Sequence, residues 1–281
     1  MSQTALREEI AHELSLRIRR LRPDAVFDGS HPHRLRDAAD NLVPGVPYGL
    51  VREDLLECEG RPQDGTPIFD ELCDIASDVA LAVNTFGPFR AAPRNLQLPG
   101  LSGFTVLRLG KRLRTGLGGA PSRLGALAIG DEAILGVTCV LAGMLARKTA
   151  TLAPSCSRAV AELASPEWSR LYDSLCDDPS RFRSLDAAAL LRQYLAMVSA
   201  LSDEPQPKTM LYVFWEPTDW PSVPAFAAHR SELLRFSLEV AGSDVSFVSM
   251  SCTELWALME EGPAWPGRLE WLDSLRARYV L

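Results

Sequence analysis

The sequence lacks every segment that would send the chain to or through a membrane. Its longest nearly apolar run covers residues 133–146, which is too short to cross a bilayer, and Asp131 and Glu132 stand immediately before it. The N-terminus has neither the apolar core of a signal peptide nor the residue bias of a transit peptide. These absences predict a cytoplasmic protein that makes no membrane contact.

Paired metal-ligating residues are also missing. The six cysteines form no CxxC pair, and no cysteine or carboxylate cluster accompanies the HxH pair of His31 and His33. Several cysteines lie in apolar segments, so buried free thiols explain them better than a zinc site does. The glycine-rich turn at residues 116–119 lacks the Gly-Lys-Ser/Thr ending of a phosphate-binding loop. We therefore expect neither zinc nor a P-loop, and the histidine pair should lie in a loop.

Acidic residues are absent from one long stretch of an otherwise acidic chain. The 281 residues carry a formal net charge of −7, yet residues 79–130 contain no Asp or Glu. The basic residues of that stretch are Arg90, Arg94, Arg108, Lys111, Arg112, Arg114 and Arg123. The stretch is therefore +7, and the rest of the chain is −14 by difference. A segregated basic segment suits a polyanion, although a solvated face would give the same composition.

The rest of the sequence has the patterns of an ordinary globular protein. Hydrophobic residues make up 47% and charged residues 23%, which is enough apolar material for a core. Helices are predicted at residues 4–20, 50–58, 70–84, 143–152, 155–163, 166–175, 185–201, 225–240, 254–259 and 265–278. Strands are predicted at residues 104–109, 124–129, 133–140, 210–215 and 245–250. Residues 23–48, rich in Pro, His and Gly, are predicted as loop with one short helix at most.

The order of these elements predicts an α/β fold. Short connections join the first three strands into an antiparallel meander, and the later strand–helix–strand unit adds parallel neighbours, which makes a mixed sheet flanked by helices. The apolar run at residues 133–140 is typical of a strand buried on both faces. We expect a single domain over residues 1–281, with a mainly helical N-terminal part at 1–100 and the sheet-bearing core at 101–281.

Helix, three-stranded meander, helix and strand is the core order of the PD-(D/E)XK nuclease superfamily, and four segments resemble its bacterial restriction-endonuclease branch. They are LAVNTFGP at 81–88, TGLGGAP at 115–121, ARKTA at 146–150 and LYVFWEP at 211–217. The resemblance runs from about residue 70 to the C-terminus. It implies a restriction-endonuclease-like core, with DNA as the family's substrate and Mg²⁺ as its cofactor.

The residues that carry the family's chemistry are replaced in this chain. Members bind Mg²⁺ through an acid on the second strand and a glutamate on the third, and a lysine two residues after that glutamate acts on the attacking water. The second-strand acid corresponds to Gly125, the glutamate and lysine to Thr138 and Val140, and an additional acid after the first strand to Gly110. Because none of the four carries a carboxylate or an amine, the resemblance implies an inactive site without a bound metal.

The first function that follows is a catalytically inactive nuclease-fold protein that binds nucleic acid. Loss of the carboxylates removes repulsion of phosphate as well as metal affinity. The residues expected to contact phosphates are Lys111, Arg112, Arg114 and Arg123. Such contacts give affinity and salt dependence but do not choose a sequence, and they require no cofactor.

Two other functions stay open. One is an active Mg²⁺-dependent DNA endonuclease with relocated groups, for which the candidates are Asp131, Glu132 and Lys148. A solvated hairpin turn explains the two acids better than a metal site does, and an exposed helix position also accounts for Lys148. The other is a protein-interaction subunit of a defence or restriction system. Gln193 and Tyr194 are expected on the long helix that faces the site, where helix periodicity alone also accounts for them.

Overall fold

The structure, a computed structural model, describes residues 3–57, 68–146 and 149–281. The first part of the chain contains the helices α1 (Gln3–Leu21), α2 (Tyr48–Glu57), α3 (Ile68–Cys73) and α4 (Asp78–Phe86). Between α1 and α2 lies a small antiparallel hairpin of β1 (Phe27–Asp28) and β2 (His31–Leu35).

A five-stranded mixed sheet forms the centre of the molecule. The strands that follow along the chain are β3 (Phe104–Leu109), β4 (Arg112–Leu113), β5 (Ser122–Arg123), β6 (Ala126–Gly130), β7 (Ile134–Val140), β8 (Lys208–Phe214) and β9 (Val245–Ser251). The sheet has the order β3-β6-β7-β8-β9, while β4 and β5 form a separate ribbon around the glycine turn. In this sheet β6 pairs antiparallel with both β3 and β7, whereas β8 pairs parallel with both β7 and β9. This pairing confirms the predicted meander and mixed sheet.

Helices cover the sheet. They are α5 (Pro154–Leu163), α6 (Pro166–Asp177), α7 (Ala187–Ala200), α8 (Pro224–Glu239), α9 (Cys252–Glu261) and α10 (Arg268–Tyr279). Because the central strands β7 and β8 are almost entirely buried, they have apolar side chains on both faces rather than an alternating pattern. Among the described residues, none of the helices combines the length and the apolar character needed to cross a membrane.

Asn84, at the end of α4, joins the N-terminal part to the core. Its side chain accepts a hydrogen bond from the Val43 N–H at 2.8 Å and donates to the Asn41 carbonyl at 2.9 Å and to the Tyr279 hydroxyl at 3.0 Å. The indole of Trp271 donates to its carbonyl at 2.9 Å. One continuous cluster of buried hydrophobic residues extends through both parts of the chain.

The helix predicted at residues 70–84 is two helices in the structure. The break follows from Ser77, whose extended backbone (φ −81°, ψ 149°) and side chain cap α4 by accepting the Ala80 N–H at 3.0 Å. Apolar residues continue at helical spacing across the break, so periodicity alone predicted one helix. The break matters because it lets α4 lie against the sheet with its own N-terminus beside β7.

Two other predictions of local structure were wrong. Residues 27–35 form the β1–β2 hairpin and not a loop, with Asp28 accepting the Ser30 N–H at 3.0 Å to close the turn, and His31 and His33 lie in β2. The strands of this hairpin are short and mostly polar, so the sequence shows no alternation of apolar and polar residues from which a strand could be predicted. Of the helix predicted at 143–152, the described residues form only a 3₁₀ turn at Gly143–Leu145, because glycine and threonine are weak helix formers.

Candidate functional site

The four positions that the sequence resemblance singles out meet in one cavity. It has a volume of about 200 Å³ and lies between α4, α7 and the strands, with Gly110, Gly125, Thr138 and Val140 all in its wall. Backbone pairing brings them together, since the Gly110 N–H donates to the Gly125 carbonyl at 3.0 Å and the Gly125 N–H donates to Val137 at 2.7 Å. The end of β3, the start of β6 and the end of β7 therefore converge on one point.

The fallback acids Asp131 and Glu132 lie at the opposite end of the meander. They form the exposed turn between β6 and β7, beyond the Ile129–Ile134 pair. At 3.3 Å per residue, five residues of strand separate this turn from the cavity by roughly 15 Å. Lys148, the third fallback residue, lies outside the described residues.

A hydrogen-bonded chain of polar groups crosses the cavity wall. The Thr138 hydroxyl donates to the Gln193 side-chain oxygen at 2.8 Å, and the Gln193 amide donates to the Arg123 carbonyl at 2.9 Å. These bonds connect β7, α7 and β5. Gln193 thus lies at the site as expected from its helix, whereas the adjacent Tyr194 is buried elsewhere and stacks on Trp168 with ring centroids 4.2 Å apart.

Two carboxylates that sequence reasoning missed, Asp78 and Asp186, line the same cavity. Asp78 accepts the Leu141 N–H at 2.7 Å, and Asp186 caps α7 by accepting the Ala189 N–H at 2.9 Å. Both begin helices that abut the sheet, and that position is the feature of the sequence that could have identified them. Burial, with added repulsion from these two charges, raises the pKa of Tyr212 well above its ordinary value and keeps its phenol protonated.

The cysteines of this region are unreactive. Cys139 lines the cavity, and burial raises the pKa of its thiol well above the ordinary value, so the nucleophilic thiolate does not form. Within the described ranges the cysteines are free, and all are buried except Cys176, which confirms the prediction of buried thiols for the others. Cys58 lies outside those ranges.

The donor set at the four motif positions does not fit the metal of the nuclease family. Mg²⁺ requires oxygen ligands in tight octahedral geometry, and two glycines, a valine and a hydrogen-bonded threonine supply no carboxylate. In the part of the chain that the structure describes, no three His, Cys, Asp or Glu side chains come close enough together to hold a metal ion. The residues at these positions thus do not rebuild the family's site.

The basic segment lies beside the cavity on the β4–β5 ribbon. Arg112 and Arg123 are cross-strand partners, and Arg123 also lines the cavity. Its guanidinium is held by both carboxylate oxygens of Glu71 at 2.8 Å each. Lys111 lies 3.8 Å from Glu57, whereas Arg114 is exposed. Of the four predicted phosphate contacts, Arg123 is therefore already engaged by an acid of α3.

Asp54 pairs with two further cations of the acid-free stretch. This buried carboxylate of α2 accepts hydrogen bonds from Arg90 at 2.8 Å, from Arg108 at 3.0 Å and from the Leu109 N–H at 3.0 Å. The acids of α2 and α3 precede the basic stretch in sequence and pack against it in space. The basic residues that are segregated in the sequence are therefore partly paired with acidic side chains in the folded protein.

Comparison with known proteins adds no assignment to this geometry. No family model matches the chain, and no curated protein or solved structure matches it. The cavity and its surroundings are therefore interpreted from the chemistry of their own residues.

Proposed function

We propose that this protein is a catalytically inactive member of the restriction-endonuclease-like fold that binds nucleic acid without cutting it. The observation that carries the proposal is the cavity in which Gly110, Gly125, Thr138 and Val140 meet. Their convergence is what a nuclease active site requires, and their side chains are what metal-dependent cleavage cannot use.

The sheet supports the fold part of this proposal. A helix, α4, precedes the antiparallel strands β3, β6 and β7, and a second helix, α7, leads into β8 parallel to β7. This is the core order of the nuclease superfamily to which the sequence segments are similar. Strand β9 and helices α8 to α10 are then additions after that core.

The hydrogen bonds of the cavity support the loss of catalysis. Thr138 stands where a metal-binding glutamate would stand, and its hydroxyl is engaged by Gln193. Gln193 in turn bonds to the backbone of Arg123, so these polar groups stabilise the contact between β7, α7 and the ribbon. Groups held in this way contribute to stability, and neither a threonine hydroxyl nor a glutamine amide ionises near neutral pH to act as a general base on an attacking water.

The β4–β5 ribbon supports binding. Lys111, Arg112 and Arg114 lie close together in sequence beside the cavity, and a phosphate can replace Glu57, which lies 3.8 Å from Lys111, as the partner of that lysine. Elsewhere the chain is strongly acidic and repels a polyanion, so binding would be confined to this side. Three phosphate contacts predict that affinity falls about 40-fold between roughly 50 and 200 mM salt.

The test combines binding and cleavage. Labelled duplex and single-stranded DNA are incubated with the protein in EDTA, Mg²⁺ or Mn²⁺, at low and high salt, and are followed by gel shift and product analysis. We expect a salt-sensitive shift in EDTA and no cleavage product in either metal. The triple variant Lys111→Ala, Arg112→Ala, Arg114→Ala should lose most of the shift. A matched control removes three exposed arginines elsewhere, Arg7, Arg158 and Arg170.

Other outcomes would replace the proposal. If both triple variants bound equally well, the β4–β5 ribbon would not be the nucleic-acid-binding surface. Metal-dependent cleavage would establish an active enzyme, and the cavity then favours Asp78 and Asp186 as its carboxylates. In that case Asp78→Asn and Asp186→Asn should abolish cleavage while Asp131→Asn retains it. Neither shift nor product would favour a protein-interaction subunit.

A further inference from the structure

The two edges of the central sheet differ. At the β3 edge, α2 packs against the strand and Asp54 accepts the Leu109 N–H at 3.0 Å. At the β9 edge, no strand of the described residues pairs on the outer side. Residues 246–250 make no hydrogen bond in the described part of the chain beyond their ladder with β8. The outward N–H and C=O groups of β9 are thus available to another strand.

The β9 strand has none of the features that usually block an open edge. Its sequence, VSFVSMS, contains neither a charged residue nor a proline, and its pairing with β8 is regular over all seven residues. The β3 strand, by contrast, is interrupted by a register shift between Phe104 and Val106. Proteins commonly protect edges with charge, proline or bulges, because a long regular edge readily pairs with another chain.

Exposed apolar side chains lie on helix α8, which covers β9, and on β9 itself. Helix α8 packs over β9, with the rings of Phe236 and Phe247 4.8 Å apart. Its outer side carries Leu234 and Leu238, which are 65% and 70% exposed, one helical turn apart. Val248 follows Phe247 in the strand, therefore faces the other side, and is 38% exposed. We call the β9 edge together with Leu234, Leu238 and Val248 the β9 edge surface.

We propose that the β9 edge surface binds a second copy of this chain, with the two β9 strands antiparallel about a two-fold axis. The sheet then continues through both protomers. Centring the axis on Val248 pairs that residue with its own copy and Phe247 with Ser249 of the other protomer. The outward N–H groups within residues 246–250 then meet carbonyls, and the α8 leucines of the two copies approach each other.

The uncharged β9 strand is where two copies of this acidic chain can approach. The chain carries −7, so two copies repel over most of their surfaces, and that repulsion is smallest at a strand without charged side chains. The absence of basic side chains on β9 excludes a polyanion here. A two-fold contact uses the same patch twice, and a single regular strand is complementary to itself in that arrangement. This inference does not depend on the proposed nucleic-acid binding.

The full chain can be tested by sedimentation equilibrium and by light scattering after gel filtration. The protomer mass is 30.8 kDa, and we expect twice that mass at high concentration. The double variant Leu234→Glu, Leu238→Glu and the single variant Val248→Lys should each raise the dimer dissociation constant at least about tenfold, because each places charge in the contact.

Matched controls separate the surface from general effects. Leu269→Glu changes a leucine that is 56% exposed on α10, and Val106→Lys changes a valine that is 42% exposed on the opposite edge strand. Both should leave the dimer intact, and circular dichroism should show every variant folded. A monomer mass for the unmodified chain at all concentrations would overturn the proposal, and so would a dimer unaffected by the surface variants. Loss of the dimer in the leucine variant alone would overturn the strand pairing.

Discussion

At the scale of single residues, Thr138 and Gln193 show how two uncharged polar side chains satisfy each other in the cavity wall. A carboxylate at position 138 would add a further negative charge to a cavity that Asp78 and Asp186 already line. A threonine hydroxyl and an amide instead satisfy each other at 2.8 Å, and the amide also bonds to the Arg123 carbonyl at 2.9 Å. The cavity wall is thus stable with no charge at these positions.

His229 gives a residue-scale prediction for the wall behind the cavity. Its ring is completely buried, with Nε2 3.0 Å from the Tyr212 hydroxyl and the ring centroid 5.1 Å from that of Phe214. Burial, and to a lesser degree the nearby Arg230 charge, lowers the pKa of His229 from 6.5 to about 4. The native ring is therefore neutral at neutral pH, whereas the unfolded ring takes up a proton below pH 6.5.

We expect the free energy of unfolding to decrease as the pH is lowered, because His229 takes up a proton only in the unfolded state. His229 contributes its full stability above pH 6.5 and loses about 3 kcal/mol of it as the pH falls to about 4, because only the unfolded state is protonated in that range. Urea unfolding at several pH values measures the slope. His229→Gln cannot titrate, so it should lose this part of the slope even if it is less stable. An identical slope in both proteins would show that the ring is not buried neutral.

At the scale of elements, the strands and helices that the sequence predicted best are those marked by a pattern of neighbouring residues. The meander, β8 and β9 followed from apolar runs separated by turns, and α7 followed from its spacing. The division between α3 and α4 did not, because a side-chain cap at Ser77 interrupts a pattern that is continuous in sequence. The β1–β2 hairpin was also missed, since its strands are short and polar.

The close packing of α4 on the start of β6 gives an element-scale prediction. A side chain at Gly125 would place its Cβ 3.0 Å from the Cβ of Ala82, which is closer than ordinary contact. We expect Gly125→Ala to cost about 1–3 kcal/mol through overpacking. Ala82→Gly should cost about 1 kcal/mol alone, and combining the two should cost less than their sum because the clash is relieved.

Chemical denaturation of the four proteins in this cycle measures the coupling. Gly29→Ala is the matched control, because nothing lies within 4 Å of a Cβ added there. If Gly125→Ala were as stable as the control, the helix would not lie this close to the strand. The same contact means that introducing an acid at Gly125 would require α4 to move.

At the scale of the whole molecule, the N-terminal part and the sheet share one core. Asn84 connects the 41–43 segment to α10 through four hydrogen bonds. It accepts from Val43 and Trp271, and it donates to Asn41 and Tyr279. Pairing of Asp54 with Arg90 and Arg108 adds a charged connection between α2 and the edge of the sheet. Neither part buries its apolar surface without the other.

Asn84→Ala should therefore destabilise the whole protein. It leaves buried donors and acceptors without partners, and we expect a loss of about 3 kcal/mol or more. Circular dichroism, which reports helices, and tryptophan fluorescence should shift together in urea. Asn95→Ala, at a half-buried site, is the control and should change stability by no more than about 0.5 kcal/mol. Separate transitions in the unmodified chain would mean that the two parts unfold independently.

The sequence by itself determined the helices and strands with local patterns and the antiparallel meander with its short turns, and it singled out Gly110, Gly125, Thr138 and Val140, which line one cavity. Spacing and turn residues act between neighbours, so these features can be derived from one chain. Only the tertiary structure decided that Glu71 binds Arg123, that Asp54 binds Arg108, that Asp78 and Asp186 line the cavity, and that β9 is an open edge. These contacts join residues far apart in sequence, and packing of the elements selects them because many pairings would satisfy the same local patterns.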